Sequence, residues 1–181
     1  MRKFPFVLTI AIFMISCNQN KPATAEEKTD STKTEAKKID TVTYPYKAAY
    51  SSAFEIGKSE NAKIVLDIWK AYQDNKMDDT KGLWADSVVM QFDGATYRSN
   101  GAKTLEEGKK DRAQYTSVID TVVAWVPLHS TDKNEDWVAV WANEYTVNKK
   151  GKKDTVDIHE IWQVKDGKVA FMAQYRAHRK P

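Results

Sequence analysis

The stretch DTVDIHEIWQVKDGKV, Asp154–Val169, is a run of alternating side chains that is typical of a β-strand and ends in a glycine turn. Three more runs have the same character, because they are rich in β-branched and aromatic residues. They are TSVIDTVVAWVPL and DWVAVWANEYTV before it and KVAFMAQYRAH after it. The glycine-containing turns NKKGKK and VKDGKV join the last three runs, so the sequence predicts an antiparallel meander.

The chain before this sheet predicts about three helices and a short hairpin. SENAKIVLDIWKAYQDNK places apolar side chains at helical spacing with charges on the other side, as an amphipathic helix does. MDDTKGLWADS offers Asp78 as the N-cap of a short second helix ending near Trp84. VVMQFDGATYRS predicts two strands around an Asp-Gly turn, and NGAKTLEEGKKDRAQY a third helix interrupted by Gly108. The predicted fold class is therefore α+β, with N-terminal helices covering a curved antiparallel sheet.

The N-terminal sequence MRKFPFVLTIAIFMISC has the features of a secretory signal: two basic residues, an apolar run and a small residue before Cys17. The apolar run is shorter than the roughly 20 residues of a membrane-crossing helix. Its last four residues resemble the bacterial lipobox, in which the cysteine is acylated after cleavage. We therefore expect residues 1–16 to be a lipoprotein signal peptide and Cys17 to be the lipid attachment site. The alternative is an ordinary secretory signal that contains a cysteine by chance.

Residues 17–45 are expected to form the lipidated cysteine and a disordered tether. They are rich in Lys, Glu, Thr, Ala and Asp and poor in large apolar side chains, so they cannot bury enough surface to offset chain entropy. Residues 46–181 are then the folded domain, which is long enough for one core. Together these segments predict a lipid-anchored protein of the bacterial cell envelope that faces the periplasm or the exterior.

The composition argues against several functions for the folded domain. Its basic and acidic residues nearly balance, whereas a nucleic-acid-binding domain has a clustered basic face. Cys17 is the only cysteine, so the domain offers no disulfide, thiol nucleophile or thiolate ligand. His129 and His178 lack a spacing that would gather metal ligands, and no Gly-rich phosphate loop is present. We expect neither a metal nor a cofactor.

The order of these elements resembles the nuclear transport factor 2-like superfamily, and within it the SnoaL-like domains. The resemblance spans roughly Asn61 to Arg179 and rests on the aromatic first helix, the strand VVMQFDG and the segment HEIWQVKDGKV. It implies a cone-shaped sheet whose concave face is covered by helices and encloses a pocket. The superfamily includes ketosteroid isomerase, polyketide cyclases, epoxide hydrolases and proteins that only bind ligands, so the resemblance implies no single function.

The first glycine turn of the meander predicts which side chains lie opposite one another. A three-residue loop of residues 149–151 places Trp141 opposite His159 and Asn143 opposite Asp157. A two-residue loop would slip the register by one and move each set of side chains to the other face.

The second glycine turn extends the same face. A three-residue loop of residues 165–167 places Ala173 beside His159 and Tyr175 beside Asp157. We take this face as concave, because it mixes aromatic walls with a few polar groups, as ligand pockets do. Its members are Trp141, Asn143, Asp157, His159, Phe171 and Tyr175, and the helices and hairpin are expected to add Trp69, Tyr72, Trp84, Phe92 and Tyr97. The residues expected to face outward are Glu144, Glu160, Trp162, Met172, Gln174 and Arg176.

His159 with Asp157 is a candidate general base, because imidazole titrates near neutral pH and a carboxylate can orient it. The resemblance to polyketide cyclases implies a pocket histidine and an aspartate near the end of the last strand, but AFMAQYRAH contains no acidic residue. The resemblance to epoxide hydrolases implies an Asp-Arg-Asp arrangement, and Arg176 is expected to face outward. A hydrogen-bonding or structural role for His159 is the alternative.

Three functions fit these observations. The main prediction is that the pocket binds a small, partly apolar molecule, because a complete catalytic set is missing. The second is an enzyme of the isomerase, cyclase or hydrolase type that uses His159 as general base. The third is a dimeric interaction module, in which the outer face of the sheet, with Trp162 and Met172, pairs with a second copy.

Overall fold

The computed structural model describes residues 42–179, so the predicted signal peptide, Cys17 and most of the predicted tether lie outside the described residues. A seven-stranded curved sheet is packed against two α-helices and one 3₁₀ turn, which confirms the α+β fold class. The helices are α1 Ser59–Gln73, the 3₁₀ helix Met77–Thr80 and α2 Gly101–Arg112. The strands are β1 Phe54–Ile56, β2 Trp84–Phe92, β3 Ala95–Ser99, β4 Tyr115–Ser130, β5 Glu135–Asn148, β6 Lys153–Lys165 and β7 Lys168–His178.

The strands lie in the order β1-β4-β5-β6-β7-β2-β3, and the sheet does not close into a barrel. The four long strands β4 to β7 form the predicted antiparallel meander. Strand β2 pairs with β7 in parallel, and β3 follows β2 as a hairpin. The chain between 73 and 115 therefore returns to the far edge of the sheet and covers one face with α2. No helix within residues 42–179 has the length and apolar character that crossing a bilayer needs.

The predicted second helix is wrong in its extent. Only one 3₁₀ turn forms, with Asp78 inside it rather than capping it, and Trp84 is the first residue of β2. Gly82 has φ 95° directly before the strand, a left-handed conformation that ends the turn. The third helix is uninterrupted, because Gly108 lies inside α2, and the side chain of Asn100 caps its start by accepting the Lys103 amide at 2.8 Å.

The register between β5 and β6 is the predicted one, with Trp141 opposite His159 and Asn143 opposite Asp157. The register between β6 and β7 differs from the prediction, because His159 pairs with Tyr175 and Asp157 with Ala177. The second turn holds only two residues, and a bulge between Gln163 and Val164 adds one more step. The two shifts together equal two residues, so the side chains that were predicted to share a face still do so.

The core lies between the helices and one face of the meander. Val65 of α1, Val88 of β2, Val138 and Val140 of β5 and Val169 of β7 are completely buried. Burial of apolar side chains supplies the main driving force for this packing. The helix-covered face of the sheet is therefore the concave side, and any pocket inside the fold lies between it and the two helices.

A buried arginine fixes the two helices to the start of the sheet. The guanidinium of Arg112, at the end of α2, donates to the carbonyls of Tyr72 and Gln73 at 2.7 and 3.1 Å and to that of Tyr115 at 3.0 Å. The carbonyls at the end of a helix otherwise have no partner, so this contact caps α1. Gly101 sits so close to β2 that a Cβ would lie 2.8 Å from the Cβ of Trp84. Both ends of α2 are thus held against the sheet.

Candidate functional site

A cavity of about 790 Å³ opens between the two helices, the β2–β3 hairpin and the concave face of the meander. Its deep part is lined by buried residues of α1 and the sheet, and its rim by exposed charged residues of β3 and α2. The deep lining residues are Ile68, Trp69, Met77, Trp84, Thr104, Glu144, Ile158, Glu160, Trp162 and Met172. The cavity is therefore partly apolar, with a small number of buried polar groups.

Aromatic side chains form much of the wall of this cavity. Trp84 and Trp162 lie with ring centroids 6.2 Å apart, and Phe92 and Tyr97 lie 6.0 Å apart near the opening. Trp69 of α1 completes the inner wall. The structure places all five of the residues expected from the helices and hairpin, namely Trp69, Tyr72, Trp84, Phe92 and Tyr97, in the lining of the cavity.

Glu160 is the most buried ionisable group of the cavity, with 3% of its surface exposed. The indole N–H of Trp162 donates to one carboxylate oxygen at 2.8 Å, and the amide N–H of Gln174 donates to the other at 2.6 Å. Burial raises the pKa of Glu160 to about 7, although these two donors and, more weakly, the Trp69 indole act in the opposite direction. A carboxyl group with this pKa exchanges protons near neutral pH.

Glu144 and Arg176 form an ion pair that lines the same cavity. The Arg176 Nη2 atom lies 2.9 Å from Oε1 of Glu144, and the Glu144 side chain is 8% exposed. Burial raises the pKa of Glu144, whereas the nearby guanidinium lowers it, and burial is the larger effect. The pair therefore brings one acid and one base into the cavity, and they neutralise each other.

Asp120 of β4 lies beside Glu144 in the register of β4 and β5. Its Oδ1 atom is buried without a hydrogen-bond partner among the described residues. Burial, together with the neighbouring charges of Glu144 and Glu160, raises the pKa of Asp120 to about 7. Three acidic side chains thus lie close together on the concave face of the sheet.

Tyr72 provides a hydroxyl group at the cavity wall. It donates to Oδ2 of Asp111 at 2.5 Å across the gap between α1 and α2. Burial and this acidic partner raise the pKa of Tyr72, so the hydroxyl stays protonated at physiological pH.

The prediction that His159 faces the pocket is wrong. His159 is exposed on the convex face of the sheet and does not line the cavity. The other residues that were expected on the concave face lie on the convex face with it, namely Trp141, Asn143, Asp157, Phe171 and Tyr175. The residues expected to face outward, Glu144, Glu160, Trp162, Met172, Gln174 and Arg176, line the cavity instead. Side chains were therefore grouped correctly, but the two faces were exchanged.

The surroundings of His159 differ from those of a general base. Its ring is stacked on Trp141 with centroids 4.9 Å apart and planes 8° from parallel, and Tyr175 lies on its other side at 6.3 Å. Asp157 instead accepts from Asn143 at 2.5 Å and from Arg179 at 2.6 Å. Asp157 therefore does not orient the imidazole.

The exchange of faces has a physical cause. The opposite face was taken as concave because it mixes aromatic walls with a few polar groups, as ligand pockets do. Glu144, Glu160 and Arg176 were therefore expected to face outward. In the structure both glutamates are buried and have partners: Glu144 with Arg176, and Glu160 with Trp162 and Gln174. The signal that identifies the buried face is the aliphatic series Val138, Val140 and Ala142, which continues across to Val156 and Ile158. The acidic site residues Asp120, Glu144 and Glu160 were missed for this reason.

No three histidine, cysteine or acidic side chains within residues 42–179 are grouped as metal ligands. His129 lies 2.8 Å from Asp136, and His178 lies 3.1 Å from Asp154, so each histidine has one acidic neighbour.

No family model and no curated protein matches this sequence, but solved structures match the fold. An LEH-like epoxide hydrolase of M. tuberculosis aligns with TM-score 0.54 and 14% identity over 66% of this chain and 84% of its own. A SnoaL-like polyketide cyclase from Jannaschia aligns with TM-score 0.53 and 14% identity over 66% and 86%. An epoxide hydrolase/cyclase-like enzyme of pyran ring formation in salinomycin aligns with TM-score 0.53 and 10% identity over 66% and 92%.

The chain has a nuclear transport factor 2-like fold. The likeness to these three structures is one of fold, because the sequence identities are too low to transfer an activity. In this nuclear transport factor 2-like domain, the cavity between helices and sheet, with its aromatic wall and buried acids, is the candidate functional site.

Proposed function

We propose that the cavity binds a small, partly apolar molecule. The observation that carries this proposal is a cavity of about 790 Å³ that has aromatic walls and contains the buried acid Glu160. Ligand sites commonly have volumes of about 300–1,000 Å³, apolar walls and a few polar groups that fix orientation. Trp84 and Trp162 supply apolar contact, and Glu160, Arg176 and Tyr72 supply the polar contacts.

Nuclear transport factor 2-like and SnoaL-like folds commonly hold a ligand-binding or cyclase and isomerase pocket, which supports a small-molecule ligand for this chain. A protein–protein function alone would not require an interior cavity with buried acids, since buried acids are costly to maintain. The retention of both Glu144 and Glu160 inside the cavity is therefore best explained by a ligand that contacts them.

A thermal-shift screen of the full chain against fractionated bacterial metabolites tests the proposal. We expect at least one fraction to raise Tm, because a ligand at about 100 times its Kd stabilises the folded state by about 2.7 kcal/mol. A filling substitution at Met172, such as Met172→Trp, should remove the shift, whereas Ala177→Trp on the convex face should retain it. Absence of any shift across the fractions would contradict ligand binding.

A second candidate is acid–base catalysis by Glu160. The observation in its favour is the pKa of about 7 of a carboxyl group that lines the cavity, since a proton-transfer group works best when its pKa lies near the working pH. If a substrate is found, Glu160→Gln should reduce kcat by at least about a hundredfold, in line with general acid–base contributions. An unchanged kcat in Glu160→Gln would exclude this role.

We also propose that the protein is held at the bacterial membrane by a lipid on Cys17, facing the periplasm or the exterior. The proposal rests on the N-terminal sequence, in which a basic and apolar segment precedes the single cysteine. Several acyl chains would anchor the chain stably, because each buried methylene contributes about 0.8 kcal/mol. Expression with radiolabelled palmitate should label the wild type and not Cys17→Ser, and equal labelling of both would contradict the proposal.

The proposed homodimer through the outer sheet face needs a different contact surface from the predicted one. Trp162 and Met172 are buried in the cavity and are not available to a second copy. The convex face instead presents Trp141 and Tyr175, which are 40% and 62% exposed. Light scattering should report a dimer at micromolar concentration that Tyr175→Glu weakens, and a monomer in the wild type would exclude this proposal.

A further inference from the structure

We propose that the cavity selects an organic ammonium ion with an apolar body. This inference rests on the proposed function, because it names the chemical class of the small molecule that the cavity holds. Two features carry it: the charges inside the cavity are unbalanced towards the negative, and the surfaces around the unbalanced acid are aromatic.

Only one of the two buried glutamates of the cavity has a cationic partner within residues 42–179. Glu144 has a cationic partner, because Arg176 lies 2.9 Å away. Glu160 has none among the described residues that contact it: its two hydrogen-bond donors are the indole of Trp162 and the amide of Gln174, which are both neutral. When Glu160 is ionised, the deep part of the cavity therefore carries one negative charge without a counter-charge.

The rim of the cavity does not supply the missing charge. Its exposed cationic residues are Arg98, Lys103 and Lys110, and its exposed acidic residues are Asp93, Glu107 and Asp111, so the rim is balanced. Exposed charges are also screened by solvent and salt more strongly than buried ones. The negative field of the interior is therefore available to a ligand that enters.

Glu160 has the geometry to accept a further donor. Trp162 donates to Oε2 and Gln174 to Oε1, so each carboxylate oxygen has one donor and retains acceptor capacity. An ammonium group carries up to three N–H donors and would form a charge-assisted hydrogen bond, which is stronger than a neutral one.

The walls around Glu160 suit the same ligand. Trp69, Trp84 and Trp162 all line the cavity, with Trp162 hydrogen-bonded to Glu160 itself. Electron-rich faces of Trp and Tyr attract cations, and this attraction grows when water is excluded. An anionic ligand would meet the uncompensated carboxylate of Glu160 here, and a neutral ligand would gain nothing from its charge. The combination of aromatic faces and an unpaired buried acid therefore favours an ammonium ion.

Three compounds with the same apolar body and different charges test the inference: phenylbutylamine, phenylbutanol and phenylbutyrate. Binding to the full chain at about pH 8 is measured by calorimetry and by tryptophan fluorescence. We expect the amine to bind roughly tenfold more tightly than the alcohol, as a charge-assisted contact predicts, and the carboxylate to bind most weakly.

Matched variants locate the selectivity. Glu160→Gln removes a carboxylate inside the cavity, whereas Asp157→Asn removes one from the opposite face of the same strand. The preference for the amine over the alcohol should fall from about tenfold to about twofold or less in Glu160→Gln, a loss of at least about fivefold in the Kd ratio. Asp157→Asn should retain it. Retention of alcohol binding in Glu160→Gln shows that the variant is folded. The three compounds with the wild type test the ammonium preference itself without any variant.

The outcomes separate this inference from the function on which it rests. Alcohol or carboxylate binding as tight as amine binding in the wild type would overturn the ammonium preference and leave a ligand-binding cavity in place. An amine preference that persists unchanged in Glu160→Gln would also overturn it, because the preference would then not originate at this acid. Failure of all three compounds to bind at millimolar concentration would contradict the binding cavity and the inference together.

Discussion

Trp162 donates its indole N–H to the carboxylate of Glu160, two residues earlier on the same face of β6, across 2.8 Å. Residues two apart on a strand point to the same side, so strand geometry alone brings the donor and the acid together. Gln174 of the neighbouring strand β7 holds the other carboxylate oxygen at 2.6 Å. The acid is thus fixed in the cavity by neutral groups, and its ionisation is decided by burial rather than by an ion pair.

Replacing Glu160 by Gln should make stability less dependent on pH. Burial raises the pKa of Glu160 from 4.5 to about 7, so the folded protein binds a proton that the unfolded chain releases between these values. The stabilisation is complete below pH 4.5 and is lost as pH rises through about 7. A shift of this size corresponds to about 3 kcal/mol, because one pKa unit is about 1.4 kcal/mol. Urea unfolding between about pH 4.5 and pH 8 should show a decline that is shallower by about this amount in Glu160→Gln.

Two comparisons make this experiment specific. Asp120 titrates in the same range with the same sign, so Glu160→Gln should reduce the decline without abolishing it. Asp157 has a lowered pKa beside Arg179, so it stabilises the fold above its ordinary pKa and loses this effect as pH falls. Asp157→Asn should therefore leave the decline towards alkaline pH unchanged. Equal pH profiles for the wild type and Glu160→Gln would show that Glu160 is not protonated in the folded state.

Removal of Arg176 should destabilise the protein more than removal of Arg179. Arg176→Met leaves the Glu144 side chain, 8% exposed, without a cation, whereas Asp157 beside Arg179 is 48% exposed. Breaking a buried pair costs about 3–5 kcal/mol and an exposed pair about 0–1 kcal/mol. Because Arg176 is itself 33% exposed, we expect about 2 kcal/mol at pH 7 for Arg176→Met, and a smaller cost for Arg179→Met, whose pair with Asp157 is exposed.

The pH dependence of the cost of Arg176→Met provides a control for this comparison. Burial raises the pKa of Glu144, and loss of the guanidinium raises it further, so an acidic solution protonates the unpaired acid. The cost of Arg176→Met in denaturant unfolding should therefore be smaller at about pH 5 than at pH 7. Equal costs for the two arginine variants at pH 7 would mean that Glu144 is solvated and not buried.

The indole N–H groups of two cavity tryptophans should contribute different amounts to the free energy of unfolding. Trp162 donates to Glu160, whereas Nε1 of Trp69 is buried without a partner among the described residues. Trp162→Phe should lower the free energy of unfolding by about 1.5–3 kcal/mol more than Trp69→Phe at about pH 8, where the acid is ionised. Chemical denaturation measures both costs, and a Trp69→Phe cost as large as that of Trp162→Phe would contradict the absence of a hydrogen bond from the Trp69 indole.

The sequence predicts the meander and part of its register because hairpin geometry is local. Gly151 at φ 78° closes a loop whose length sets Trp141 opposite His159, as predicted. The bulge between Gln163 and Val164 was not predictable, since no residue type in that segment requires an extra step. Two errors of one residue added to a shift of two, which keeps side chains on the same face, so the composition of each face was correct although the pairs Ala173–His159 and Tyr175–Asp157 were wrong.

The choice between the two faces depended on information that local sequence does not hold. A glutamate is buried only when distant residues supply donors, and the partners of Glu144 and Glu160 come from β7, through Arg176 and Gln174. The candidate general base His159 was chosen because its titration range suits catalysis, but the fold places it outside the cavity. The aromatic residues of α1 were easier to place, because amphipathic spacing identifies the side of a helix that meets the core.

We propose that ligands bind in the cavity beneath the helices and not on the convex face. The chain contains six tryptophans, of which Trp69, Trp84 and Trp162 line the cavity. Trp125, Trp137 and Trp141 do not line it, so they provide an internal control. The most direct measurement is a nitrogen–proton spectrum of the tryptophan indoles during titration with phenylbutylamine and phenylbutanol. We expect the indole signals of Trp69, Trp84 and Trp162 to shift while the other three stay fixed. Shifts confined to Trp125, Trp137 and Trp141 would contradict binding in the cavity.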